Sequence, residues 1–377
     1  MNKKANVFEE NFFSHATVVN TNYPFIFVHG LAGWGSYDLR NKIAPYWGML
    51  GKDLMKQLCK EGFVCNSASV APLGSAWDRA CELYAQLTGT VVDYGVYHSK
   101  VHNHKRYGKD FRGKALLEKW DETHKVNLLG HSFGGTTIRL LATLLDKGSV
   151  EEQNATTDGS ISELFTGGKS ELIYSITALA SPHNGTAAYL PDKKDKQFYN
   201  TSTPIKAFRD YFQSILINCL KSCLASEKTD SANYDLQIDN ALKLNGKLYA
   251  LENVYYFSIP ASITYKSENG QYKPFRKDME LLFRFSAKAM GMFKGQTPNG
   301  YNIDEKWFEN DGLVNTVSAK YPFTEKHTNF NREKVDKGIW NVLPTYYGDH
   351  MSLQGGMTKI NDTFDYYKSL LNMINSL

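Results

Sequence analysis

"VNLLGHSFGGTTIRLLATLLDKG", Val126 to Gly148, joins an apolar run, a serine between glycines and a helix-period pattern without a break. The run up to Leu129 reads as a buried strand of a parallel sheet. From Thr136 onward apolar residues recur three and four apart until a glycine ends the pattern. Between the two, Gly130 to Gly134 spells Gly-x-Ser-x-Gly. Five letters are weak evidence alone, because they recur by chance in a chain this rich in glycine. Their setting is stronger evidence. In a strand, sharp turn and helix, the glycines let the backbone turn tightly, the serine is left strained with its Oγ exposed, and the helix points its N-terminal dipole at the site. Ser132 is therefore the candidate nucleophile.

Working outward, strands of the same kind recur at "YPFIFVHG" (Tyr23 to Gly30), "YSITALASP" (Tyr174 to Pro182) and "VYYFSIP" (Val254 to Pro260). Helix-like stretches lie between them, among them "YWGMLGKDLMKQLCKEG" (Tyr46 to Gly62). This alternation implies an α/β fold, a mostly parallel sheet with helices on both faces. Behind a tail at 1–22, residues 23–377 read as one domain with three insertions. Residues 72–115 hold a helix at "SAWDRACELYAQL" and a histidine cluster. Residues 186–245 carry Ile205, Phe208, Phe212, Ile215, Leu216, Cys219, Leu220 and Cys223 at helical spacing, which fits a core-packed helix and a lid over an apolar site equally well. Residues 263–306 include "YKSENGQYKPF", with a hairpin turn at Asn269-Gly270.

Composition bounds the reading. The 377 residues, 42% apolar and 22% charged, suit a globular chain with a substantial core. A formal charge of +4, with no block of five lysines and arginines, implies no nucleic-acid partner. The start, "MNKKANVFEENFFSH", has no continuous apolar stretch, and no run of eighteen apolar residues follows. Neither an export signal nor a membrane span is visible, although a chain whose signal had been removed would read the same. Cys59, Cys65, Cys81, Cys219 and Cys223 make an odd count without a Cys-x-x-Cys pair, which favours small buried hydrophobes over a disulfide framework.

A serine hydroxyl needs a general base, and the base needs an orienting acid. After an elbow of this kind the acid comes next in the chain and the histidine last. Three histidines follow Ser132. His183 precedes every promising acid, and His327, in "FTEKHTNF", sits in a polar, loop-like stretch. His350, in "TYYGDHMSL", lies where the last strand-to-helix loop should deliver it. Asp311, in "FENDGLVNTVS", falls in a turn before a β-rich run, whereas Asp349 is His350's immediate neighbour and so points elsewhere. The set is Ser132, Asp311 and His350. An oxyanion hole would use the backbone N–H of Phe133 and that of Leu31, after "FVHG".

The segment "YGVYHSKVHNHKRYG", Tyr94 to Gly108, packs His98, His102 and His104 together. Its spacing leaves two chelates open: His98 with His102 on one helix face, or His98 with His104 across a loop. "HSKVH" lacks the glutamate of a His-Glu-x-x-His site, and Gly95, Asn103 and Gly108 disfavour a long helix, which speaks against a catalytic zinc.

Taken together, "PFIFVHGLAGWG", "WDRACELYAQLTGTVVDYGVYHSKVHNHKRYG", "GHSFGG", "ASPHNGT", "TDSANYDL", "WFENDGLVNTVS" and "GDH" resemble the thermoalkalophilic bacterial lipases, zinc-containing members of the α/β-hydrolase superfamily. The resemblance runs from about Tyr23 to His350. It implies an α/β-hydrolase fold with Ser132 as nucleophile, Asp311 as acid, His350 as base, the Leu31 and Phe133 amides as oxyanion donors, and secretion from the cell. It also implies a zinc ion on Asp78, His98, His104 and Asp230. Two imidazoles and two carboxylates close a tetrahedron, so that zinc would be structural and pin the 72–115 insertion to the segment after the amphipathic stretch. Read without the family, Asp78 is a helix-start residue and Asp230 a surface acid. Two departures stand out. The segment between "HNGT" and "TDSANYDL" is shorter than the family's lid region, which implies a more open site suited to short-chain or bulky polymeric esters. "MSLQGG", after His350, lacks the carboxylates the family uses for calcium, so no calcium site is carried over.

The expectation is a carboxylic-ester hydrolase working through an acyl-enzyme on ester or lipid substrates. It would touch a lipid interface transiently through the lid and need no obligate protein partner. The same machinery could pass the acyl group to an alcohol. A zinc metallohydrolase built on the histidines is the rival from another class. A non-catalytic binding protein would require a broken triad, and none of the three positions is broken.

Overall fold

Seven short stretches pair in parallel to form the central sheet of the computed structural model, which describes residues 20–49, 53–190, 229–356 and 363–377. They are β1 (Phe25–Val28), β2 (Cys65–Ala68), β3 (Val126–His131), β4 (Ile173–Leu179), β5 (Tyr255–Ile259), β6 (His327–Asn329) and β7 (Trp340–Val342). Their order across the sheet is β6-β7-β5-β4-β3-β1-β2, and every pairing is parallel. The chain crosses from β2 at one edge back over β1 to β3, so the order reverses between β1 and β3. In open α/β sheets that is where ligands bind, beyond the carboxyl ends of the strands.

The helices that cover the sheet or position the site are α1 (Leu54–Lys60), α2 (Ala76–Thr88), α3 (Val96–Val101), α4 (Phe133–Lys147), α5 (Val150–Ala155), α6 (Ile238–Asn245), α7 (Leu281–Met290), α8 (Thr316–Lys320) and α9 (Thr363–Asn375). Alternation along β1 separates the two faces. Phe25 and Phe27 pack with Trp47, with Leu54 and Leu58 of α1, and with Tyr367, Leu370 and Ile374 of α9. Ile26 and Val28 pack with Leu83 and Leu87 of α2 and with Ile138, Leu141 and Leu145 of α4. Each such side chain contributes roughly 1.5–3 kcal/mol by leaving water. α4 is buried nearly all round, so tertiary packing rather than an exposed polar face holds it. α2 opens at Ser75, whose hydroxyl accepts from the Asp78 N–H at 3.2 Å, and closes at Gly89 in the left-handed region.

Several local expectations change. The helix read over Tyr46 to Gly62 forms only from Leu54, capped by the Asp53 carboxylate, because Trp47 is fixed in the core and Gly48 turns the chain at φ +103°. The run after Asp311, read as β-rich, makes only an isolated bridge from Asn310 to Asn315 before α8 begins. His327, read as a loop imidazole, belongs to edge strand β6, where its exposed ring stacks on Tyr321 at 3.4 Å between centroids. Thr264–Lys266 and Tyr272–Pro274 pair antiparallel around Asn269-Gly270, with a loop longer than two residues. Cys59, Cys65 and Cys81 are free thiols. The amphipathic stretch from Ile205 to Cys223 lies outside the described residues, as does most of the tail at 1–22. Among the described residues no helix is long and apolar enough to cross a membrane.

Candidate active site

The turn from β3 into α4 is jammed against its neighbours. A Cβ on Gly130 would lie 2.4 Å from the Gly134 carbonyl, and one on Gly134 would lie 2.3 Å from the Val28 carbonyl oxygen, so only glycine fits either place. Between them Ser132 has φ +54° and ψ −128°, a conformation costing on the order of 1–3 kcal/mol that the surroundings must enforce. Its N–H donates to the Leu179 carbonyl at 2.8 Å, which ties the turn to the end of β4.

His350 reaches Ser132 from the far end of the chain. Its Nε2 is 2.8 Å from Ser132 Oγ, and its Nδ1 is 2.8 Å from Asp311 Oδ2. The other Asp311 oxygen accepts from the N–H groups of Leu313 (2.9 Å) and Val314 (2.7 Å), and the His350 N–H donates to the Asp311 carbonyl at 2.9 Å. The carboxylate is thus fixed as an acceptor, which assigns the proton to Nδ1 and leaves the Nε2 lone pair for the serine. All three side chains are buried. Asp349 turns away: one oxygen accepts from the Glu280 N–H at 3.0 Å and the other from the Ser352 hydroxyl at 2.9 Å, while burial pushes its carboxyl above the usual range.

The turn after β1 lies against the serine. A Cβ on Gly30 would sit 2.7 Å from Ser132 Cβ and 3.2 Å from its Oγ, so the turn leading into Leu31 runs beside the hydroxyl, and Phe133 is the first residue of α4. Sequence reasoning missed what holds this turn. Arg79 is fully buried and donates to the carbonyls of His29 and Ala71 (2.8 Å for the latter), with Nε on the Thr137 hydroxyl at 2.9 Å. The one available signal was an arginine on the apolar face of α2, next to Asp78.

A second cluster lies at that end of α2. His98 Nε2, on α3, is 3.2 Å from Asp78 Oδ1 and 3.3 Å from Asp230 Oδ1. His104 Nε2 is 3.5 Å from Asp230 Oδ2 and 4.0 Å from Asp78 Oδ1. Ligands about 2.0–2.1 Å from a tetrahedral centre stand about 3.3 Å from one another; the two His98 contacts match that spacing, and the four ligand atoms all lie within 4.8 Å of one another. Three of these atoms, Asp78 Oδ1 and both Nε2 atoms, are buried without a hydrogen-bond partner, the condition a cation would relieve. These four residues can hold a metal ion. His104 Nδ1 contacts the Lys105 carbonyl at 2.9 Å, which leaves Nε2 free to ligate. Without a metal, burial opposes charge on His98, but the flanking Asp230 and Asp78 carboxylates outweigh it and push the ring up to about 9. Buried Glu152, on α5, also went unnoticed in the sequence. It accepts the N–H groups of Tyr97 (2.9 Å) and His98 (2.8 Å) and so caps the start of α3. Of the two chelates left open by spacing, the structure joins His98 with His104. His102 stays outside the four, its ring 4.4 Å from that of His98.

Against known proteins, the family model described as "Lipase-like, C-terminal domain" matches residues 21–197 and 196–374. Lipase 1 of Staphylococcus aureus is 33% identical over 360 residues, covering 88% of this chain and 50% of that protein. The chain thus spans about half the length of the curated relatives it matches. Among solved structures, EstA from Clostridium botulinum superposes with a TM-score of 0.84 at 30% identity, covering 97% of this chain and 90% of that one. Staphylococcus hyicus lipase gives 0.77 at 30% identity, with 94% and 96% covered. A parallel sheet with its glycine-flanked serine at the reversal of strand order, a family match over most of the length and a bacterial lipase structure at this identity lead to one conclusion: the chain belongs to the lipase-like family that includes bacterial lipases.

Proposed function

We propose that the chain is a carboxylic-ester hydrolase acting through an acyl-enzyme. The observation that carries this reading is the pair of 2.8 Å contacts from Ser132 Oγ through the His350 ring to Asp311. Ser132 Oγ attacks the ester carbonyl while His350 Nε2 takes its proton. Asp311, already held by two backbone N–H groups, keeps the ring oriented and stabilises it once charged. The oxyanion forms against the Leu31 and Phe133 amides, each such donor contributing about 3–4 kcal/mol to the barrier reduction. His350 then hands the proton to the leaving alkoxide, and water repeats the cycle on the acyl-enzyme. If an alcohol enters instead of water, the outcome is acyl transfer with no change in the residues used.

The relatives named lipase support an acyl ester as substrate. The short segment after "HNGT" favours short- to medium-chain acyl groups and bulky polyesters over long-chain fats. The metal of the second cluster is, in this proposal, zinc with a structural role. It supplies a cross-link between α2, α3 and the segment at Asp230, and four protein donors leave it no open position for a substrate. That argues against the metallohydrolase reading. Secretion, and passing contact with a lipid interface, complete the proposal.

The test is hydrolysis of a nitrophenyl ester series by the wild type and by Ser132→Ala. Turnover retained in the variant refutes the mechanism, and a profile peaking at long acyl chains refutes the open site. Chelation separates the metal roles: immediate loss of turnover at 25 °C would make the metal catalytic, whereas loss of heat resistance alone makes it structural.

A further inference from the structure

His131, the residue between the motif's first glycine and the serine, is 1% exposed and spends both ring nitrogens on partners that lead to the catalytic centre. Its Nε2 is 2.8 Å from the backbone carbonyl of His350, and its Nδ1 is 2.7 Å from the Tyr46 hydroxyl. That hydroxyl in turn accepts the Gly30 N–H at 3.1 Å. The directions are forced. A carbonyl can only accept, so Nε2 carries the proton. Nδ1 must then accept from the tyrosine O–H, and the tyrosine oxygen is left to receive the Gly30 N–H. Tyr46 and His350 are as buried as His131, so water is not at hand to replace either partner. Burial, with the neighbouring His350 ring, holds His131 well below its ordinary pKa and hence neutral, the state in which one nitrogen donates and the other accepts.

A packed core histidine with satisfied nitrogens would be an ordinary finding. The two ends make this one different. One end grips the main chain of the base, 219 positions away in sequence, and the other grips the turn from which the Leu31 amide departs. We propose that Tyr46 and His131 are positioning residues, a buried relay from Gly30 N–H to the His350 carbonyl that sets the oxyanion turn and the base against Ser132 together. This rests on the ester-hydrolase reading above. Neither residue hydrogen-bonds a reacting atom, although the His131 ring packs 4.9 Å between centroids from that of His350. Breaking the relay therefore leaves substrate binding intact and lowers the rate of the chemical step, because preorganisation is lost on both sides of the serine.

The experiment compares the wild type with Tyr46→Phe, His131→Leu, the double variant, His131→Gln and Ser132→Ala. The assay is hydrolysis of nitrophenyl butyrate, run well below each variant's melting temperature. Tyr46→Phe and His131→Leu should each lower kcat about 10- to 100-fold, the scale of one or two hydrogen bonds, with KM changed less than about twofold. His131→Gln, which keeps a donor near the His350 carbonyl, should recover part of the loss. The double variant should be no slower than His131→Leu, because two cuts in one chain do not multiply. Unchanged kcat in Tyr46→Phe, or losses that multiply in the double variant, overturns the relay. Turnover retained by Ser132→Ala overturns the ester-hydrolase reading instead, so the two failures are distinct. If the His131 variants do not fold, nitrogen-15 NMR of histidine-labelled wild type decides. A neutral Nε2–H tautomer unchanged between pH 5.5 and 8 supports the relay, and an Nδ1–H tautomer or a titrating ring overturns it.

Discussion

The triad and the second cluster use the same two residue types to opposite effect. Around Ser132, histidine and aspartate satisfy one another: each His350 nitrogen has a partner at 2.8 Å and Asp311 is fixed by backbone donors. Around Asp78, two histidines and two aspartates point at a common centre and leave ring nitrogens unpartnered. A site ordered by its own hydrogen bonds is ready without help. A site whose carboxylates and ring nitrogens face one another at ion-pair distance is arranged to share positive charge, whether a bound cation or a proton on His98. The difference extends to protonation. Burial holds His29 down to about 3 and puts His131 and His183 well below the ordinary imidazole value, while the carboxylates push His98 up to about 9.

The most severe way to break this contrast is Ser132→Ala. It should lower kcat on the order of a million-fold while leaving the melting temperature and metal content unchanged. Removing the metal should do the reverse. With the ion supplied at about 1,000 times its Kd, chelation withdraws about 4 kcal/mol of stability, and turnover at 25 °C should persist. Calorimetry with and without chelator, beside an assay at 25 °C, checks both halves, and equal melting temperatures would deny that the cluster holds an ion.

Acid sharpens the contrast next. A histidine whose folded pKa lies below its unfolded value of about 6.5 takes up its proton only on unfolding. Its contribution is complete above pH 6.5 and is lost as pH falls towards the folded value. Each of His29, His131 and His183 should therefore cost about 2 kcal/mol of stability by pH 5. Urea unfolding at pH 7, 6 and 5 measures the slope, and a flat profile would show that these rings are already charged in the folded chain. The smallest effect belongs to Glu152→Gln. It replaces one acceptor at the start of α3 by a donor facing His98 N–H or Tyr97 N–H, and metal affinity should fall roughly 10-fold with kcat unchanged. Competition with a chromogenic chelator reads this directly.

What the sequence made legible follows from distance along the chain. The turn at Ser132 was readable because strand, glycines and helix lie within one local stretch. Asp311 and His350 were readable because the order of partners after such a turn is limited. Strands β2, β6 and β7 escaped notice because "CNSA", "HTN" and "WNV" are too short and too polar to show a buried run. Arg79 and Glu152 escaped for the converse reason: a charged side chain says nothing of itself about being buried, and only tertiary structure supplies the carbonyls and amides that satisfy it. Asp78 and Asp230 looked like a helix-start residue and a surface acid, and family resemblance rather than spacing drew them together. The partnership of Tyr46 with His131 left no pattern, since 85 positions separate them.

That separation has a consequence in time. Ser132 and His350 meet across 218 positions, and β6, β7 and the His350 loop all lie in the last sixth of the chain. Contacts this remote in sequence are the last to repay their loop-closure entropy during folding. Until His350 has docked, the serine and its elbow therefore exist without the imidazole that contacts Ser132 Oγ. In a refolding experiment, recovered turnover marks the closing event rather than formation of the sheet.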